Sequence, residues 1–78
     1  MIETGKTVKI IEMMGTDKAK AIYPETIRKR NRELFDGCVG VVGFVYSKNL
    51  FLLFVKDNEG RERSAYIDIR DDRVSISN

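Results

Sequence analysis

From Cys38 onward the chain is a run of short β-branched and aromatic segments, parted by turns too short to hold a helix. Val39–Tyr46, Leu50–Val55, Arg61–Ile69 and Arg73–Ser77 each read as a strand. Ser47-Lys48-Asn49, Asp57-Asn58-Glu59-Gly60 and Arg70-Asp71-Asp72 supply the turns between them. Thr7–Met13, where Val8 and Ile10 alternate with Lys9, adds an earlier strand. Five short strands with tight connections imply an antiparallel, strongly curved sheet. Closing it into a small barrel would remove most of its exposed edge. Gly40 and Gly43 fall inside a strand, where glycine marks a bend or bulge of the kind a small barrel needs to curl. The charged start of the 61–69 segment suits an edge strand.

Between the first and second strands the period changes. Pro24 suits the first turn of a helix, because its missing N–H has no helical partner there. Glu25 favours the positive end of the helix dipole, and Gly37 is a fitting terminator. The spacing predicts a helix over 24–35, with Ile27, Leu34 and Phe35 on one face. The expected architecture is therefore mainly β. It is a five-stranded small barrel with one α-helix in the first long loop, within an insertion at about 15–37. Leu50–Val55 is apolar on both faces, with Leu50, Leu52 and Phe54 opposite Phe51, Leu53 and Val55. Either the 24–35 helix covers part of the outer face, or that strand offers a partner or self-association surface.

At 78 residues the chain reads as one domain spanning 1–78. Its 42% hydrophobic and 33% charged residues are those of a globular fold, and no apolar run reaches the length of a membrane span. Met1–Lys6 has no apolar leader segment. There is no histidine and a single cysteine, Cys38. This excludes an intrachain disulfide, a Cys/His zinc site and a histidine-dependent nucleophile. The acids Asp57, Glu59, Asp68, Asp71 and Asp72 read as turn and solubility chemistry, and Cys38 as a small buried hydrophobe. The expectation is a non-enzyme without cofactor or metal, in a cytoplasmic setting.

Several residues resemble the SH3-like small-barrel superfamily, of the KOW-type or accessory-subunit kind. They are Gly5, Lys6, Val8 and Ile10 at the opening, a long first loop, then Gly37, Gly40 and Val42. A narrower likeness is to Sm-like RNA-binding proteins. Gly43-Phe44 with Asn49-Leu50-Phe51-Leu52 is similar to their first motif, and Ile69-Arg70-Asp71-Asp72-Arg73-Val74 to their second. Val45 stands where that family has Asp, and Asp71 where it has Gly. That resemblance implies that Asn49 and Arg70 contribute to a nucleic-acid-binding pocket.

Charge points the same way. Lys18, Lys20, Arg28, Lys29, Arg30 and Arg32 stand against one acid, Glu25, between Lys18 and Arg32. Clustered Lys and Arg bind phosphates through counterion release, and Tyr23 beside them could stack on a base. Glu25–Lys29 and Lys29–Glu33 have the spacing of pairs within the helix. Arg63 and Tyr66 are further candidates for ligand contact. The leading expectation is a non-catalytic module that binds RNA or DNA through the basic insertion. The alternative is a protein–protein module, such as an accessory subunit or a small regulator of a larger enzyme, of the kind a mobile element encodes. Salt separates the two, because phosphate contacts weaken steeply as salt rises.

Overall fold

The computed structural model describes residues 2–77. The chain runs β1 (Thr7–Glu12), α1 (Asp17–Ile22), α2 (Glu25–Phe35), β2 (Val39–Val45), β3 (Leu50–Lys56), β4 (Glu62–Asp68) and β5 (Arg73–Ile76). All five strands join one antiparallel sheet in the order β4-β3-β2-β1-β5. Val8, Ile10, Val42, Phe51, Leu53 and Ile67 point into its concave side and are sealed from solvent. No helix among the described residues is long and apolar enough to cross a membrane.

Five strands are present where expected, but the sheet does not close into a barrel. Counting orientations from β1 outward, β4 and β5 run the same way. Parallel neighbours need a crossover of roughly a dozen residues, and only Ile69–Asp72 lies between these two strands. β5 therefore continues onward from β4 instead of lying beside it. The link also forces the sheet to coil. Four strand spacings would separate β4 from β5 by about 19 Å if the sheet were flat. The chain folds into a turn over that gap, with Asp71 and Asp72 N–H groups donating to the Asp68 carbonyl at 2.9 and 2.8 Å.

Gly43 supplies part of the coiling. The β2–β3 register slips between Val42 and Phe44, leaving Gly43 as the extra residue of a bulge. The Phe54 ring lies against it, where any Cβ would collide.

The insertion holds two helices, not one. Thr16 caps α1 by accepting the Ala19 N–H at 3.1 Å, and its hydroxyl donates to the Arg70 carbonyl at 2.9 Å. Tyr23 is extended, as the residue before a proline must be, and this separates α1 from α2. Pro24 is the N-cap of α2, one place before the helix proper. Gly37 ends it at φ +84°. Only the far end of α2 reaches the core. Phe35 is buried and Leu34 packs against the cluster, whereas Ile27 is 46% exposed. The helix does not cover the outer face of β3, where Phe54 stays open to solvent.

Two long-range devices hold the insertion. Asn58, in the β3–β4 turn, donates through Nδ2 to the Glu33 and Asp36 carbonyls at 3.0 and 3.1 Å. Its backbone N–H reaches the Leu34 carbonyl at 2.8 Å. These bonds satisfy the orphan carbonyls at the end of α2. Asp36 and Asp72 carboxylates accept the Met13 and Met14 N–H groups, each at 2.8 Å, and pin the exit of β1.

Candidate nucleic-acid interface

The arginines of α2 are each ion-paired. Arg28 is ion-paired with Glu25 and only 15% exposed, and its Nε donates to the Tyr23 carbonyl at 3.3 Å. Arg32 meets the other Glu25 oxygen at 2.7 Å. Arg30 meets Glu59 at 3.3 Å and Glu33 at 3.8 Å. Lys18 lies 3.7 Å from Asp71, to which the Tyr23 hydroxyl donates at 3.4 Å. Asp71 raises the Tyr23 pKa by its charge, aided by burial. Glu25 and Glu33 thus pair with arginines and not with Lys29. Among the described residues Lys20 and Lys29 are the cations of the insertion with no carboxylate within ion-pair distance.

Asn49 and Arg70 come together, in adjacent turns at the far end of the sheet. The Ile69 N–H donates to the Asn49 carbonyl at 2.9 Å. Arg70 forks onto Asp68, with Nε and Nη2 at 3.0 and 2.7 Å from its two oxygens. That fork lowers the Asp68 pKa and raises that of Arg70. Arg63 and Tyr66 lie on opposite faces. Arg63 pairs with buried Asp57, while Tyr66 projects outward.

The outer face carries a feature that residue spacing did not reveal. Phe44, Tyr46, Phe54 and Tyr66 are 53%, 48%, 54% and 64% exposed, although strands normally bury such rings. Phe44 and Tyr46 centroids are 4.7 Å apart, and those of Tyr46 and Tyr66 are 5.7 Å apart. Tyr66 also raises the Tyr46 pKa through its phenol. Val39 and Val41 extend the apolar surface toward β1. A shallow groove of ≈ 400 Å³ beside Phe54 is lined also by Lys56, Glu62 and Ser64.

Lysines border this face. Lys9 stands opposite Val39, Lys48 lies two residues past Tyr46, and Lys56 ends β3. Glu62 faces Lys56 across the ladder, and Asp68 is already held by Arg70. Lys9, Lys48 and Lys56 form no ion pair among the described residues. The alternation of exposed and buried residues in β2, read through the Gly43 bulge, is the signal that could have located these rings. Val41, Phe44 and Tyr46 share a face only once one residue is skipped.

Cys38 is buried, with Sγ 3.3 Å from the Asn58 Oδ1 and 3.7 Å from the Leu34 carbonyl. Burial pushes its pKa up, with Asp57 and Asp36 adding to the effect, so the thiol stays protonated. No family model, no curated protein and no solved structure matches this chain.

Proposed function

We propose that the chain is a non-catalytic binding module for nucleic acid, and that single strands dock on the outer face of the sheet. The observation that carries this reading is the row Phe44, Tyr46 and Tyr66, half-exposed, with unpaired Lys48 in the turn after Tyr46 and unpaired Lys9 and Lys56 at the other end of the same face. Every base has a π-face, so exposed rings hold single strands with little regard to sequence, while nearby cations follow the phosphates. Asn49 and Arg70 stand at the end of the same row. Lys20 and Lys29 are a secondary contact, and Arg28, Arg30 and Arg32 serve the fold. The strand order, with β1 between β2 and β5 and the helices in the first loop, supports an SH3-like architecture for the module.

The test is fluorescence polarisation with labelled single-stranded RNA, single-stranded DNA and duplex DNA at low salt. Single strands are expected to bind in preference to duplex. Tyr46→Ala and Tyr66→Ala are each expected to cost about 1–3 kcal/mol of binding. If only Lys20→Ala and Lys29→Ala weaken binding, the contact belongs to the insertion instead. Absence of binding to all three probes overturns the reading in favour of a protein-binding module.

A further inference from the structure

We infer that a second copy of this chain pairs with the open edge of β4, through Glu62, Ser64 and Tyr66. This inference is independent of the nucleic-acid reading. β4 ends the sheet, and along its whole length it pairs with β3 in unbroken register. The direction of each backbone group follows from that register. Asp57 donates its N–H to the Arg61 carbonyl at 2.8 Å, and Ile69 donates to the Asn49 carbonyl at 2.9 Å. In an antiparallel ladder, inward-facing groups alternate. Arg61, Arg63, Ala65, Ile67 and Ile69 therefore turn their backbone groups to β3, and Glu62, Ser64, Tyr66 and Asp68 turn theirs away.

Asp68 is already engaged. Its N–H donates to the Asp72 Oδ2 at 3.1 Å, and its carbonyl takes the N–H groups of Asp71 and Asp72. Glu62, Ser64 and Tyr66 remain, each with a donor and an acceptor directed outward and no backbone partner among the described residues. Proteins commonly guard such an edge with proline, a bulge or projecting charge. Here there is no proline and no bulge in β4; Arg63 is drawn back onto its own Asp57, and the one exposed charge among the three outward residues is Glu62.

The edge is complementary to itself. When two copies meet antiparallel about Ser64, Ser64 faces Ser64 of the partner, and Glu62 faces Tyr66. All three residues of each copy then exchange both of their bonds, and no like charges face one another. An axis normal to the sheet makes this a closed two-fold contact. It also joins the two outer faces, so that both tyrosine rows lie on one continuous surface.

Sedimentation analysis of the wild-type chain over a rising concentration series tests the pairing. The mass is expected to rise from the 9.0 kDa of one chain to twice that value. Ser64→Pro removes an outward N–H without touching the β3 ladder, and is expected to leave a monomer at every concentration. Hydrogen exchange on the wild type provides the check that needs no variant. The Glu62, Ser64 and Tyr66 amides should gain protection as concentration rises, while those of Arg63 and Ala65 stay constant. A mass that never doubles, or one that doubles without protecting those three amides, overturns the inference.

Discussion

Asp57 organises the β3–β4 turn through both of its oxygens. It accepts the Glu59 and Arg61 N–H groups at 2.8 and 3.0 Å and holds the Arg63 guanidinium. The Arg61 N–H is the largest cause of a pKa below the ordinary 3.8, with Arg63 contributing next against burial. A carboxylate with a depressed folded pKa stabilises the fold fully above its unfolded value, and that stabilisation is lost as pH falls through the folded pKa. Asp72 works in the opposite sense. Burial raises its pKa, so its carboxylate form opposes folding once pH climbs past 3.8 and through the folded value. Asp57→Asn is expected to lower the melting temperature at pH 7 and to flatten its fall below about pH 4. Thermal melts from pH 7 to pH 2 check this, and an unchanged acid limb would refute it. The turn itself was legible from Asp57-Asn58-Glu59-Gly60. The pairing of Asp57 with Arg63 was not, because it depends on which way β4 leaves the turn.

At the scale of elements, the ends of α2 were readable and its packing was not. Pro24 and Gly37 act locally and mark the helix wherever it sits. Ile27 shares a face with Phe35, yet only Phe35 reaches the core, because α2 meets the sheet with its last turn alone. The six residues of α1 carry too little period to register in a sequence, and the local feature that marks its start is the Thr16 cap. What anchors α2 comes from a distant part of the chain. Asn58 supplies the donors that its final carbonyls lack. Asn58→Ala is expected to destabilise the fold by about 1–2 kcal/mol. Its effect on hydrogen exchange should concentrate at Asp36, Gly37 and Cys38, leaving the β3 and β4 amides protected. Uniform loss of protection over the whole sheet would show that the bond does not act at the helix end.

Across the whole molecule, charge by sequence position and charge by space give different pictures. Along the chain the insertion looks strongly basic. In space Glu25, Glu33, Glu59 and Asp71 neutralise its arginines and Lys18, and Glu59 does so from a turn far along the chain. Of the unpaired lysines of the sheet, Lys9 and Lys56, distant in sequence, come to flank Val39 only when the strands assemble, and Lys48 lies at the other end, in the β2–β3 turn. Strand identity survives this kind of reading because period is local. A binding face does not, because it depends on which neighbours cover which residues. The difference is measurable through salt. Each phosphate neutralised on a single strand contributes roughly −0.7 to the slope of log affinity against log salt. If Lys9, Lys48 and Lys56 each meet a phosphate, replacing all three by Gln should make the slope shallower by about 2. Lys20→Gln with Lys29→Gln should change it far less, since those two lie in the helical insertion and not on the sheet. The reverse ranking would return the interface to the insertion. Equal slopes in all three proteins would mean that neither set of lysines meets a phosphate, and stacking on Phe44, Tyr46 and Tyr66 would then have to account for the affinity unaided.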